Sequence, residues 1–396
     1  MDQITQPALA PERPPELPPE LTEALIAAGD EIERTQRIPE PLLSQLHEAR
    51  LFRMFLPKDL GGDEIHPSDY LRIMEEVARH EASVAWNIFV GNSAALIVPF
   101  VDHDAATEIF ADPRALVAWG PPHGGTADAV DGGYRVSGRW EFASGCRQAT
   151  WMGVHCRVRE PDGSLRLNHL GHPTLRTLLF PAAQATLHDV WNPIGLRGTA
   201  SDSYSIEDVF VAEAYTGTRD DQALRRKSGP LYAFPQQGLY AVGVAVTALG
   251  IASAMLAAFV DLASEKVPRG RPRLADTSMI QVGVAKAEAT IGAARAYLIT
   301  GLDEVFTKAE ALGETEAIAI PDRARVRLAA THAIHGAAEV VDWIYKEAGV
   351  SASFPGSPFE RRFRDMHTLT QQIQSRGSHY ETAGQVLLGN PPEIYF

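Results

Sequence analysis

The stretch GGYRVSGRWEFASGC, residues 132–146, carries the strongest prediction about the fold. Between residues 134 and 142 large or apolar residues alternate with polar ones, which is the period of a β-strand with one wet face. The strand then stops at Ala143-Ser144-Gly145, three small residues that follow Trp140 and Phe142. Such an ending indicates either an ordinary turn or a place where something flat lies against the backbone.

Outward from this strand, the periodicity of the chain changes twice. Spaced apolar positions predict helices before it, alternation predicts further strands after it, and helical spacing returns from about residue 231. We therefore expect an α+β multi-domain protein, with a disordered lead-in at 1–20, a helical domain at 21–118, a β-domain at 119–225 and a helical bundle at 226–396. Residues 239–260 lack charge and are rich in small residues, which favours the central helix of the bundle, with a membrane span as the alternative.

The composition sets limits on partners and compartment. Hydrophobic residues make up 45% and charged residues 22%, as in ordinary globular proteins, and the net charge of −14 disfavours nucleic acid and anionic membranes as partners. The N-terminus has neither a basic start nor an apolar core, so we expect no signal peptide. The two cysteines, Cys146 and Cys156, are expected to be buried thiols in a cytoplasmic protein, with a cross-hairpin contact as the alternative.

Two turns of small residues stand out in the predicted β-domain. They are FASG at 142–145 and GLRGTAS at 195–201, and each follows a tryptophan, Trp140 or Trp191. Each turn offers hydroxyls and backbone N–H groups beside a flat apolar side chain, a mixture that suits a heteroaromatic ligand. Two ordinary β-turns are the alternative. No glycine motif of the dinucleotide-binding or P-loop type follows a predicted strand.

Five stretches together resemble the acyl-CoA dehydrogenase superfamily, and within it the oxygenase components of two-component flavin-dependent monooxygenases. They are LFRMFLPKDLGG, EASVAWNIFVG, GGYRVSGRWEFASGCRQATW, WNPIGLRGTASDSYSIEDVFV and RRFRDMHTLTQQIQ. The resemblance covers the chain from about residue 21 to its end. It implies an N-terminal helical domain, a central β-barrel and a C-terminal four-helix bundle, assembled as a homotetramer.

The resemblance also implies a flavin site. Ser144 would bond near the flavin N5 atom, and the neighbours of the ring and of the reaction pocket would be Trp86, Gly145, Trp191, Thr199 and Ser201. A core aromatic is the alternative for Trp86. Trp119 and His123 would approach the substrate. Arg269 and Arg271 in VPRGRPRL would bind the flavin phosphate, and RGRPR in place of the family's Arg-x-x-Phe-Gly favours FMN over FAD.

The residues after Arg364-Asp365 discriminate between the two reactions of the superfamily. Dehydrogenases use a glutamate base in a Glu-Gly-Thr turn there, and this chain has none at that place. The oxygenases typically carry a histidine that donates a hydrogen bond near the flavin, and this chain has Gln372 instead. His367 and His379 are candidates to replace that donor, with a surface or core histidine as the alternative for each. His332 and His335 lack further ligands at metal spacing, so we predict no metal site.

The predicted function is therefore a reduced-flavin-dependent monooxygenase that hydroxylates an aromatic or polycyclic small metabolite through a flavin C4a-hydroperoxide. Its catalytic residues would be Ser144 and Gln372, its cofactor reduced FMN or FAD, and its partners O2 and a separate flavin reductase. An FAD-dependent acyl-CoA dehydrogenase-like oxidoreductase and a flavin-binding relative without oxygenase activity are the alternatives.

Overall fold

The computed structural model describes residues 17–121, 125–168, 171–219 and 221–392. Helices come first. Their bounds are α1 (Pro19–Thr35), α2 (Glu40–Glu48), α3 (Pro67–His80), α4 (Ala82–Ala95) and α5 (His103–Phe110). Glu81 caps α4, because its side chain accepts a hydrogen bond from the backbone N–H of Ser83. α4 is apolar on all sides and almost wholly buried, which places it inside the molecule.

The middle of the chain forms one mixed sheet. Its strands are β1 (Val117–Trp119), β2 (Gly125–Val130), β3 (Gly133–Ala143), β4 (Trp151–Arg159), β5 (Leu175–Pro181), β6 (Thr186–His188), β7 (Asp202–Ala212) and β8 (Thr216–Gly217). The order is β6-β7-β3-β2-β4-β5-β8, with β1 paired to β4, and the pairs β1–β4 and β2–β4 are parallel.

The expectation of a β-barrel was wrong, because the two outer strands do not meet. β6 and β8 are short and lie at opposite ends of the order, so the sheet stays open. The predicted strand is present as β3, and its inward residues Tyr134, Val136 and Trp140 are each 1% exposed. Phe142 departs from this alternation, because the register shifts after Trp140 and Phe142 adopts a positive φ of 59°.

Helices return after the sheet. They are α6 (Pro230–Ala233), α7 (Gln236–Glu265), α8 (Ser278–Glu310), α9 (Ile320–Ala348), α10 (Glu360–Leu369) and α11 (Ser378–Leu387). α7 packs against α3, α4, α8 and α9, and the two short helices α10 and α11 lie against α9. Helical and sheet regions thus follow in the predicted order, and the boundaries at 118 and 225 stay a prediction.

The apolar segment predicted as a central helix lies within α7. Two segments, Ala82–Phe100 and Gln236–Glu265, have the length and hydropathy of membrane-crossing helices, but 94% and 78% of their most apolar windows are buried in the protein. Small residues let α7 approach its neighbours closely, since a Cβ atom at Gly243 would lie 2.6 Å from the ring of Phe89 on α4. These contacts are those of a core helix.

One buried ion pair joins the N-terminal helices to the C-terminal ones. Glu75 of α3 is 1% exposed. Arg295 of α8 donates to it from Nε, which lies 2.8 Å from Oε2 and 3.1 Å from Oε1. The hydroxyl of Ser253 on α7 donates to the same carboxylate over 3.3 Å. Three helices therefore meet at one carboxylate.

Removal of the cation from this pair should destabilise the fold. Arg295→Met leaves the buried carboxylate of Glu75 without its partner, so we expect the free energy of unfolding to fall by roughly 3 kcal/mol. Arg273→Met breaks an exposed pair with Asp276 and should leave the urea midpoint nearly unchanged. Urea unfolding followed by circular dichroism measures both, and equal effects of the two substitutions would contradict the account.

Candidate functional site

Four polar side chains from three distant parts of the sequence form a chain of hydrogen bonds. Trp86 Nε1 on α4 lies 3.1 Å from Ser144 Oγ, and Ser144 Oγ lies 2.6 Å from Ser201 Oγ. Ser201 Oγ lies 2.8 Å from Thr199 Oγ1, which in turn lies 2.9 Å from the carbonyl oxygen of Leu196. The structure thus brings together the two turns that the sequence singled out and the tryptophan assigned by resemblance.

The direction of every hydrogen bond in this chain follows from its two ends. An indole N–H can only donate, and a carbonyl oxygen can only accept. Thr199 therefore uses its one hydrogen on Leu196, so Ser201 must donate to Thr199, and Ser144 must donate to Ser201. The chain runs from Trp86 to Leu196 in one direction only. Ser144 Oγ keeps a lone pair and has no hydrogen left to donate.

The backbone at both turns is held in unusual conformations. Phe142, Leu196 and Ala200 have positive φ angles of 59°, 49° and 45°, which are uncommon for residues with a Cβ atom. Gly145 has φ 78°, and its N–H donates to the carbonyl of Thr199 over 2.9 Å, which ties one turn to the other. Strained residues of this kind persist where surrounding contacts hold them, and they cluster at ligand sites.

Asn87, one residue after Trp86, fixes α4 against both turns. Its Nδ2 donates to the carbonyls of Ser83 over 2.9 Å and Gly198 over 3.0 Å. Its Oδ1 is buried and has no hydrogen-bond partner among the described residues. A Cβ atom at Gly145 would lie 3.0 Å from this oxygen, so only glycine leaves it room. We call the place where Trp86 and Asn87 of α4 meet the turns at 142–145 and 195–201 the junction. It contains a buried acceptor that a ligand N–H could satisfy.

Trp191 is attached to the same junction. Its Nε1 donates to the carbonyl of Leu196 over 3.1 Å, and its backbone N–H donates to Asp202 Oδ1 over 2.9 Å. Asp202 is buried and also forms an ion pair with Arg147, whose Nε lies 2.6 Å from Oδ2. The indole ring is thereby fixed at both its ring nitrogen and its backbone.

An exposed apolar surface lies beside the junction. Phe142 is 56% exposed, and its ring meets that of Trp191 edge to face at 6.4 Å. Val190 and Ile194, in the segment around Trp191, are 54% and 64% exposed. Exposed aromatic and aliphatic side chains next to buried hydroxyls and an unpaired amide oxygen fit a flat ring with polar edges. The residues present therefore fit a flavin ring.

Trp119 belongs to a second cluster. It is 7% exposed at the end of β1, and Arg219 lies over its ring at 5.2 Å. His155 packs edge to face against the same ring at 4.9 Å, and Arg219 also hydrogen-bonds Gln236 at the start of α7. Burial and the charge of Arg219 hold the pKa of His155 well below its usual range, so the imidazole is neutral.

Within the described part of the chain, no hydrogen bond or ion pair joins Gln372, Arg269 or Arg271 to the junction. Gln372 follows α10, and its amide oxygen accepts a hydrogen bond from the backbone N–H of Gln374 over 2.6 Å, which leaves its amide nitrogen for another partner. Arg269 and Arg271 are exposed on the loop between α7 and α8. His123 lies outside the described residues. Neither substitute histidine joins the junction: the His367 Nε2 atom lies 2.9 Å from Asp342, and that of His379 lies 2.9 Å from the carbonyl of Ile373.

Helices, a mixed sheet and long helices follow one another in the arrangement of an acyl-CoA dehydrogenase-like fold. Residues 20–106 match the model described as acyl-CoA dehydrogenase, N-terminal domain, and residues 242–376 match acyl-CoA dehydrogenase, C-terminal domain. The chain belongs to the acyl-CoA dehydrogenase superfamily, as the sequence predicted.

Its relatives include named monooxygenases. Indole-3-acetate monooxygenase of Pseudomonas putida is 29% identical over 366 residues, which are 91% of this chain and 90% of the relative. The oxygenase component of the FADH2-dependent resorcinol hydroxylase of Rhizobium sp. is 26% identical over 378 residues, 91% of this chain and 90% of the relative. The structure of XiaF from Streptomyces sp. in complex with FADH2 and glycerol shares the fold, with a TM-score of 0.85 at 22% identity over 95% of this chain and 96% of that one.

The two thiols should resist modification while the protein is folded. Cys146 and Cys156 are free and buried, as predicted, and Cys146 Sγ lies 3.4 Å from the carbonyl of Ala200 beneath the junction. Burial raises the pKa of each thiol to about 12. Because only a thiolate reacts, we expect Ellman's reagent at about pH 8 to label neither cysteine in the native protein and both in denaturant. Rapid labelling of the native protein would contradict the packing described.

Proposed function

We propose that the protein is the oxygenase component of a two-component flavin-dependent monooxygenase that hydroxylates an aromatic small molecule. The observation that carries the proposal is the one-directional chain from Trp86 to Leu196, which places Ser144 as an acceptor beside the exposed ring of Phe142 and the half-buried ring of Trp191. The relatives named above are monooxygenases, and the names of two of them specify indole-3-acetate and resorcinol.

The flavin would be held by residues of both turns and of α4. The ring would lie against Ser144, Gly145 and Trp191, with Trp86, Thr199 and Ser201 behind it. Arg269 and Arg271 would reach the phosphate of a flavin bound to a neighbouring subunit, since they are exposed and far along the chain from the junction. Their role, and the homotetramer it needs, are part of the proposal. The flavin would be FMN or FAD and would arrive reduced from a separate reductase.

When bound, the reduced flavin supplies the activation of O2. The residues of this chain would hold protons and exclude water around it. Ser144 Oγ has only a lone pair to offer, so it would accept a hydrogen bond from a ring N–H, and Asn87 Oδ1 is the second unpaired acceptor. A hydrogen bond from a ring N–H to such an acceptor disfavours loss of the proton from that ring nitrogen. This arrangement favours the reduced ring, which carries an extra N–H, over the oxidised one.

Gln372 would be the donor on the other side of the site. Its amide oxygen accepts from the backbone N–H of Gln374, which orients the amide and leaves its two N–H groups for a ligand. An amide cannot titrate near neutral pH as a histidine does. The hydrogen bond it gives would therefore not depend on pH. Trp119 and the neutral His155 would form the wall on the substrate side, because Trp119 lies at the sheet end that faces α4.

The proposal is tested by turnover with a reductase. The protein, a flavin reductase, NADH and FMN or FAD are incubated in air with indole-3-acetate, resorcinol and other phenols and indoles, and products are identified by mass spectrometry. We expect one substrate class to gain a single oxygen atom. Reduction of an electron acceptor by acyl-CoA thioesters, with no hydroxylated product, would contradict the proposal and establish a dehydrogenase.

Ser144→Ala should uncouple this reaction. Without the Ser144 acceptor, the ring N–H is held less well, so we expect hydroxylated product per NADH to fall by about tenfold while hydrogen peroxide rises. The matched control is Ser137→Ala on the same strand, because Ser137 is exposed and accepts only from the N–H of Asp208 over 2.8 Å. Equal coupling in Ser144→Ala and the control would remove Ser144 from the proposed mechanism.

A further inference from the structure

Asp365 on α10 touches the last residue of the hydrogen-bond chain. The carboxylate is 4% exposed, and its Oδ1 accepts from the backbone N–H of Leu196 over 2.6 Å. Leu196 is one of the residues with a positive φ, and its carbonyl receives the hydroxyl of Thr199 and the indole N–H of Trp191. One residue thus accepts the end of the chain on its carbonyl and is held by a buried acid on its N–H.

The rest of α10 supports the same stretch of backbone. Arg364 donates to the carbonyl of Ile194 and, over 2.8 Å, to the carboxylate of Glu33 on α1. Gly195 lies directly on the backbone of α10, where a Cβ atom would collide with Arg364. Residues 194–196 are therefore seated on α10, and the carboxylate of Asp365 lies at the point where the strained conformation begins.

We propose that Asp365 is a positioning residue for the flavin site. It would hold Leu196 in its left-handed conformation, so that the Leu196 carbonyl stays aligned as the final acceptor and the direction of the whole chain up to Ser144 is fixed. The inference rests on the proposed function, since it takes the junction to be the flavin site. Asp365 itself would touch neither flavin nor substrate.

The charges that face Asp365 give this role a measurable signature. Burial raises the pKa of Asp365, the negative charges of Glu81 and Glu33 raise it further, and the guanidinium of Arg361 opposes them. Glu81 precedes α4, Glu33 lies on α1, and Arg361 and Arg362 lie on α10, so charges from three parts of the chain act on this carboxyl. Asp365 therefore keeps a proton at pH values where an exposed aspartate has lost it. Ionisation of Asp365 changes the charge on the oxygen that accepts from the Leu196 N–H. Because Trp191 donates to the carbonyl of Leu196, this change also alters the surroundings of the Trp191 indole.

The experiment compares Asp365→Asn, which keeps an oxygen acceptor without the charge, with Asp365→Ala, which removes the acceptor. Asp342→Asn is the matched control, because Asp342 forms an exposed pair with His367 of α10 at 2.9 Å. Two quantities are measured: the dissociation constant for reduced FMN under anaerobic conditions, and tryptophan fluorescence of the flavin-free protein from about pH 5 to about pH 9.

We expect Asp365→Ala to bind reduced FMN roughly tenfold more weakly, and Asp365→Asn and the control to bind within about threefold of wild type. Wild type and Asp342→Asn should show one pH-dependent step in fluorescence that Asp365→Asn lacks. An aspartate that only supported the fold would leave the affinity for reduced FMN unchanged in an Asp365→Ala protein that folds.

Two results overturn the inference: wild-type FMN affinity in a folded Asp365→Ala protein, or the wild-type fluorescence step in Asp365→Asn. If Asp365→Ala does not fold, the fluorescence step in Asp365→Asn decides. Failure of wild type to bind either reduced FMN or reduced FAD, each tested in the same way, would overturn the proposed function, and the inference with it. Equal flavin affinity of wild type and Asp365→Ala would overturn the inference and leave the proposed function standing.

Discussion

The structure depends on one chain of hydrogen bonds whose direction cannot be reversed. It begins at an indole N–H, passes through three hydroxyls and ends at a backbone carbonyl, with each oxygen using its single hydrogen on the next. Because the first group can only donate and the last can only accept, each hydroxyl has one allowed orientation. A pair of adjacent hydroxyls alone would be free to flip. Because the direction is fixed, Ser144 Oγ is a hydrogen-bond acceptor even when no ligand is bound.

This chain also explains how three separate regions of the molecule are kept in register. Trp86 comes from the N-terminal helices, Ser144 directly follows β3, and Ser201 directly precedes β7. Asp365, from the C-terminal helices, holds the last residue of the chain. The large apolar core between α3, α4 and α7 holds the helices together without regard to direction. The polar chain adds what the core cannot, a defined orientation at a small number of atoms.

Much of this architecture was visible in the sequence, and the reasons differ from case to case. Alternation over residues 134–142 predicted β3, because a strand with one buried face repeats every two residues. The low charge of residues 239–260 predicted the core helix α7, because a helix buried on all sides carries few charged residues. The two turns were found because small residues after large aromatics are unusual in a strand. Phe142 was misplaced on the buried face, since a single residue of positive φ reverses the alternation without altering the residue pattern.

The remaining features could not be predicted because they depend on contacts between distant residues. The open sheet instead of a barrel is decided by which outer strands pair, and strand periodicity carries no information about partners. Asn87 looked like one more residue of a buried helix, and its bond to Gly198 spans 111 positions. Asp365 was noted only as part of an Arg-Asp pair, although its bond to Leu196 spans 169 positions. The signal that could have pointed to it is its place at the end of the charged run ERRFRD, residues 360–365.

A crystal structure of the protein grown with reduced FMN under anaerobic conditions would show whether Ser144 is an acceptor for the flavin. We expect the flavin ring to lie on the surface formed by Phe142 and Trp191, with a ring N–H within hydrogen-bond distance of Ser144 Oγ, about 3 Å. We also expect the chain from Trp86 to Leu196 to be unchanged. A ring bound elsewhere, or one that turns Ser144 into a donor by breaking its bond to Ser201, would show that the direction of the chain does not determine how flavin binds.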